Sequence, residues 1–180
     1  MLVFFDDIII YNVTWEDHLK HLDKVLGILE EQHIYAKMSK CEFGMTEMHY
    51  LGHAIRGDRV KIHQDKIREI IECPTPTNVT ELNSFLGINT YYINFVKGFS
   101  QLMVPLTDLT KLGYLNWTDE AKATFERMKQ VMSSCPVLAL LDFTQPFVLE
   151  CDASETGIGV LWMQNNNPIA FKSQKFKEYE

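Results

Sequence analysis

The sequence lacks any run long and apolar enough to span a membrane, and its N-terminus has neither the charged region nor the cleavage site of a secretory leader. These gaps predict a cytoplasmic protein with no membrane partner. Cysteine is sparse as well. Cys41, Cys73, Cys135 and Cys151 stand far apart without C-x-x-C spacing, which excludes a disulfide framework or a zinc site and reads as thiols in a reducing compartment. Positive charge is in deficit, with 17 Lys and Arg against 24 Asp and Glu and a net charge of −7. A strong general grip on nucleic acid draws on clustered cations, so nucleic acid held by this chain needs help from segments outside it. No disorder signature is present: 180 residues, 46% hydrophobic and 23% charged, can bury one or two small cores.

The most informative stretch is Leu2-Val3-Phe4-Phe5-Asp6-Asp7-Ile8-Ile9-Ile10-Tyr11. Its apolar runs read as two strands, with Asp6-Asp7 where one turns into the next. Adjacent carboxylates between hydrophobic strands repel unless a cation or solvent compensates. A hard divalent ion such as Mg²⁺ accepts carboxylate oxygens and leaves room for substrate phosphates. An exposed hairpin tip, where Asp is an ordinary turn residue, is the other reading.

Farther along, Thr14 caps a helix with Glu16 and Asp17 in its first turn. Leu19, Leu22, Val25, Leu26 and Leu29 give that helix an apolar stripe for packing on a sheet. His18 and His21 share a spacing of three, open either to a metal pair or to plain solvated surface. Ile34-Tyr35-Ala36 and Cys41-Glu42-Phe43-Gly44 read as short strands. His49 to Ile55, a polar turn at Arg56-Gly57-Asp58-Arg59, and Val60-Lys61-Ile62 read as a strand, turn and return.

Cys73-Pro74-Thr75-Pro76-Thr77-Asn78 is a linker, since two prolines in three positions forbid a regular element. Asn78 with Glu81 has the form of a capping box, ahead of a helix with Leu82, Phe85, Leu86, Ile93 and Val96 as its buried stripe. Gly87 inside that helix costs about 1 kcal/mol relative to Ala. It implies close approach by another helix or by a nucleic-acid backbone, and Asn83, Gly87 and Tyr91 fall on one face. Pro105 to Leu109 begins a short helix that Gly113 stops. Thr118 starts another, carrying Ala121, Phe125, Met128 and Met132 and ending at Ser133 to Pro136. Val137 to Pro146 reads as a tether. Then Phe147 to Asp152 is a strand ending on a carboxylate, and turns at 153–157 and 165–168 lead to strands Ile158 to Met163 and Ile169 to Phe171.

Phe4-Phe5-Asp6-Asp7-Ile8-Ile9-Ile10-Tyr11 resembles the aromatic-x-Asp-Asp hairpin of reverse transcriptases, in the form found in gypsy-type LTR retrotransposon (Metaviridae) polyproteins. His18-Leu19-Lys20-His21-Leu22, Tyr35 to Phe43, Tyr50-Leu51-Gly52-His53, Ser84-Phe85-Leu86-Gly87 with Tyr91-Tyr92, Pro105 to Leu109, Pro136-Val137-Leu138 and Asp152-Ala153-Ser154 resemble that family's segments in the same order. The aromatic position before Asp6 holds Phe4 where tyrosine is common.

The resemblance implies an α+β fold: residues 1–55 as the C-terminal part of the palm, a β-hairpin plus helix ending in the primer-grip hairpin; 56–136 as helical thumb and connection; and 137–180 as the first β-meander of a ribonuclease H-like domain. It implies RNA-directed DNA polymerisation with ribonuclease H, using Mg²⁺ held by Asp6 and Asp7 in one two-metal site and by Asp152 in the other. Asp6, Asp7 and Asp152 would be catalytic. Tyr50, Leu51 and Gly52, together with Asn83, Gly87 and Tyr91, would bind the RNA/DNA template-primer duplex, with dNTP as the second substrate. A plain structural hairpin at 49–62 remains the other reading there. The parent element would assemble in an intracellular particle. Only five residues precede Asp6. The fingers, the rest of the palm and the rest of ribonuclease H are therefore expected on missing polyprotein segments, and Glu178 and Glu180 do not fall in the family's helical Glu motif. A domesticated or truncated interaction module without catalysis is the alternative function.

Overall fold

Opposite Phe4, Asp7 opens the second strand of a tight hairpin, so that only Phe5 and Asp6 form its loop. In the computed structural model, which describes residues 1–111 and 114–176, this hairpin joins β1 (Leu2–Phe4) to β2 (Asp7–Ile9). Phe5 takes a positive φ of 50°, a conformation that costs a residue with a Cβ about 1–2 kcal/mol. The chain divides into two compact units, Met1–Met45 and Thr46–Glu180.

In the first unit, α1 spans Trp15–Glu31. Thr14 caps it, its hydroxyl oxygen accepting from the Asp17 amide at 3.2 Å. The expected packing of this helix on a sheet is not realised among the described residues. Leu22, Val25 and Leu29 are half-buried, Leu19 and Leu26 are exposed, and no side chain of α1 reaches full burial. A two-stranded ribbon offers too little apolar surface to cover a helix of this length. The expected strands at 34–36 and 41–44 are also absent; a single 3-10 turn, Met38–Lys40, lies between irregular segments. Neither segment has a strand partner to satisfy its backbone, and apolar content alone does not make a strand.

The second unit is built on a four-stranded antiparallel sheet, β3 (Met48–Tyr50), β4 (His53–Arg56), β5 (Arg59–Ile62) and β6 (Leu138–Ala139), in that order. The stretch read as a tether therefore contains a strand: Leu138 pairs with Val60 and is buried in the core. Its two residues are too few to show alternation. Between sheet and linker lies α2 (Gln64–Ile71), which the sequence reading passed over. His63 caps it, with Nδ1 accepting from the Asp65 amide at 3.3 Å.

Next comes α3 (Val79–Tyr91), capped by Asn78, whose side-chain oxygen accepts from the Glu81 amide at 2.9 Å. The Glu81 carboxylate reaches back one residue farther than in a standard capping box, accepting from the Thr77 amide at 2.7 Å. That amide, with the Thr77 hydroxyl, holds the Glu81 carboxyl below its ordinary range. The helix ends at Tyr91, and a 3-10 turn over Ile93–Phe95 carries the chain on to Val96, which is buried although it lies outside the helix. The linker is pinned: Trp117 Nε1 donates to the Pro76 carbonyl at 2.9 Å and Lys129 Nζ to that of Cys73 at 2.6 Å.

Short helices α4 (Phe99–Leu102) and α5 (Val104–Lys111) lead to α6 (Asp119–Ser133), capped by Thr118 as its sequence predicts. The stop expected at Gly113 falls outside the described residues. Ala121, Phe125, Met128 and Met132 of α6 are fully buried against Leu82, Phe85 and Leu106, forming the main core. A three-stranded antiparallel meander follows, β7 (Val148–Ser154), β8 (Gly157–Gln164) and β9 (Asn167–Lys175). The turn at Asn165-Asn166 has positive φ at both residues, the pattern of a type I′ hairpin, for which Asn is suited. Two bonds dock β9 on α4: the Ser100 amide donates to Ser173 Oγ at 2.8 Å, and the Ser100 hydroxyl donates to the Ser173 carbonyl at 2.7 Å.

Candidate nucleic-acid interface and carboxylates

The β3–β4 hairpin closes through Leu51 and Gly52, both with positive φ (47° and 75°), between the paired residues Tyr50 and His53. Two positive φ values in a two-residue loop give the twist that antiparallel strands favour. Glycine at position 52 meets a second demand, because the Tyr92 hydroxyl occupies the space that a Cβ would take. The turn's two carbonyls are tied down by consecutive tyrosines of the α3 end. Tyr91 Oη donates to the Leu51 carbonyl at 2.9 Å and Tyr92 Oη to that of Gly52 at 3.2 Å. Burial, helped by the negative charges that Tyr91 and Glu69 can carry, pushes the Tyr92 hydroxyl up to about 12.

A groove of about 350 Å³ opens beside this turn, lined by Leu51, Gly52, Lys66, Glu69, Gly87, Ile88, Tyr91 and Tyr92. Leu51, Gly52, Gly87 and Tyr91, drawn from segments far apart in sequence, thus meet at one surface. Tyr50 lies half-buried in β3 at the base of the turn, and Asn83 is exposed one helical turn before Gly87. Neither lines the groove. At Gly87 an added Cβ would meet open space, so helix packing does not explain the glycine.

His53 follows the turn and joins the residues around it. Its ring lies 5.4–5.6 Å from those of Tyr91, Tyr92 and Phe95, stacked on the last. Its Nδ1 is 3.0 Å from the Leu51 carbonyl. Desolvation lowers its pKa, against backbone contacts that raise it. No spacing marks such a residue; only the fold brings the three rings round it.

The carboxylates are placed differently. Asp6 occupies the hairpin loop and Asp7 the first position of β2, both exposed. Asp152 is not at a strand end, as its sequence context suggested. It lies within β7, opposite Gly159, with Ser154 closing the strand. The strand runs on because β8 continues to pair with it through Gly157. Among the described residues no group of three or more His, Cys, Asp or Glu is disposed to hold a metal ion. Mg²⁺ keeps several of its waters and binds through one or two carboxylates together with substrate phosphates, a demand that exposed aspartates can meet without a closed protein cage. His18 and His21 serve separate contacts, His18 stacking on Trp15 and His21 Nδ1 lying 2.6 Å from Asn12 Nδ2.

Two family models match: "Reverse transcriptase (RNA-dependent DNA polymerase)" over residues 1–55 and "RNase H-like domain found in reverse transcriptase" over residues 117–180. Proteins of both families work with divalent metal ions. The chain is 32% identical over 188 residues to the retrovirus-related Pol polyprotein from transposon 297 of Drosophila melanogaster, covering 99% of this chain and 17% of that protein. It is 31% identical over 191 residues to the Pol polyprotein from transposon gypsy of the same organism, covering 99% of this chain and 18% of that protein. An uncharacterized mitochondrial protein of Arabidopsis thaliana is 41% identical over 132 residues, covering 72% of this chain and 84% of the relative. Among solved structures, the foamy viral protease-reverse transcriptase in complex with an RNA/DNA hybrid matches with a TM-score of 0.85 at 26% identity, covering 93% of this chain and 24% of that one. The same enzyme in complex with dsDNA matches with a TM-score of 0.83 at 27% identity, covering 92% and 36%. The chain therefore spans less than a fifth of the length of the Pol polyproteins it matches, and it belongs to their family as a gypsy-type retrotransposon reverse transcriptase–ribonuclease H fragment.

Proposed function

We propose that the chain contributes the rear of the palm, the primer grip and thumb, and the start of ribonuclease H to an RNA-directed DNA polymerase, with divisions at residues 1–55, 56–136 and 137–180. The Leu51-Gly52 turn and the Gly87–Tyr91 face of α3 hold the end of an RNA/DNA template-primer duplex. The observation that carries this is the meeting of Leu51, Gly52, Gly87 and Tyr91 in one groove, with open space above a helical glycine. A wide, shallow A-form minor groove can be followed by small and aromatic side chains, which suits this surface. Nucleic-acid complexes of the foamy viral enzyme lend support.

Asp6, with Asp7 beside it, and Asp152 are the carboxylates that the parent enzyme turns toward Mg²⁺, dNTP and the hybrid; bound Mg²⁺ supplies Lewis-acid charge there. Their exposure suits completion by ligands from other polyprotein segments. Duplex titration across salt tests the reading. Binding weakened by Gly87→Ala and Tyr91→Ala in a folded protein is expected, and unchanged binding would overturn it. For Asp152, an extended chain covering the whole ribonuclease H domain should cleave an RNA–DNA hybrid and lose cleavage with Asp152→Asn. Equal cleavage by the mutant would remove the assignment.

A further inference from the structure

The Leu51 carbonyl accepts from two side chains whose rings are neighbours. Tyr91 Oη reaches it at 2.9 Å from the end of α3, and His53 Nδ1 lies 3.0 Å away on β4. A carbonyl oxygen only accepts, so Nδ1 must carry the imidazole proton, which leaves Nε2 bare in the neutral ring. The neighbouring Gly52 carbonyl is likewise doubly held, by Tyr92 Oη at 3.2 Å and by the His63 amide at 2.9 Å. Tyr91 is nevertheless about half exposed, at 54%, and its ring lines the groove. Core packing does not account for a tyrosine so placed; phenylalanine would line the groove equally well without the hydroxyl.

We propose that Tyr91 and His53 are positioning residues, which together clamp the Leu51 carbonyl and hold the Leu51-Gly52 turn over the exposed Gly87 face of α3 as a preformed seat for a duplex end. The occupant of the seat rests on the function proposed above; the clamp does not. A turn fixed before binding has no ordering entropy left to lose when the duplex arrives, so the clamp acts on affinity without touching the nucleic acid through its hydroxyl. Lys66 and Glu69 of α2, paired at 2.8 Å, are the charged groups that share the groove.

Three readouts on the whole chain test this. Nitrogen-15 spectra of the imidazoles should show His53 as the Nδ1-protonated tautomer. Tyr91→Phe should speed hydrogen exchange in the 48–54 hairpin and weaken binding of a primed RNA/DNA duplex about fivefold, the worth of one hydrogen bond. Ile88→Ala, which trims the same groove, should leave that exchange unchanged. An Nε2-protonated His53, or a Tyr91→Phe protein with wild-type exchange, overturns the clamp. Should the wild-type chain bind no duplex, the groove's proposed occupant falls, while tautomer and exchange still decide the clamp.

Discussion

Tyr92 and Gly52 are fitted to one another: the Tyr92 hydroxyl donates to the Gly52 carbonyl at 3.2 Å and fills the space where residue 52 would carry a Cβ. Gly52→Ala therefore meets both a φ of 75° and a collision. Gly57, with a φ of 57° and open space around its missing Cβ, meets only the first. Gly57→Ala should cost about 1 kcal/mol and Gly52→Ala about 2–4 kcal/mol in denaturant unfolding, with Tyr92→Phe recovering part of the second loss. Equal costs at the two positions would show that the collision relaxes freely.

Gly87 and Gly157 should respond in opposite directions. Gly87→Ala adds a methyl in open space within a helix and should stabilise the fold by about 1 kcal/mol. A Cβ at Gly157 would lie 2.5 Å from the Gln174 carbonyl oxygen and 2.6 Å from Gln101 Nε2. Gly157→Ala should then cost about 1–3 kcal/mol and loosen the seating of β9 on α4, read as faster exchange at Ser173. Melting temperatures that move the same way for both substitutions contradict this.

Burial holds the folded-state pKa of His53 below its ordinary 6.5. As pH falls below that value the unfolded chain binds the proton first, so His53's contribution to stability is complete above 6.5 and declines beneath it. Urea midpoints should fall between pH 7 and pH 5, and His53→Phe should flatten that decline. An identical pH slope in the variant would show that other groups carry it.

The cysteines should separate by alkylation rate. Burial pushes the Cys135 thiol up to about 11, whereas Cys151 lies exposed on β7. At pH 8 iodoacetamide should modify Cys151 well before Cys135, as peptide mass spectrometry would show. Comparable rates would mean that the end of α6 opens readily.

How much the sequence disclosed depended on the range of the interaction. Caps act within four residues, so Asn78 with Glu81, and Thr118 with Asp119 and Glu120, marked the starts of α3 and α6 correctly. The meander was legible from turn residues and β-branched runs, apart from the extra pairing that puts Asp152 inside its strand. Long-range effects were hidden. The pairing of Leu138 with Val60, the pinning of the proline linker by Trp117 and Lys129, and the contact of Tyr91 with Leu51 each join residues 40 or more positions apart. Helix α2 was missed although His63, Asp65, Ile67 and Ile70 supply a cap and an apolar face; its eight residues leave little room for a period to show. For the candidate site, motif resemblance singled out Leu51, Gly52, Gly87 and Tyr91, which meet in the groove, and Tyr50 and Asn83, which do not line it; only the fold added His53 and Lys66.

The most direct test of the account is fluorescence anisotropy of a primed RNA/DNA duplex titrated with wild-type chain, Gly87→Ala and Tyr91→Ala at several salt concentrations. Among the described residues Lys66, paired with Glu69, is the one cation lining the groove, so log affinity should fall with log salt at a slope no steeper than roughly −1, far shallower than for a basic groove. Both variants should bind about fivefold or more weakly while Gly87→Ala melts no lower than wild type. Wild-type affinity in both folded variants, or a steep salt slope carried elsewhere on the surface, would contradict the assignment of this groove to the duplex.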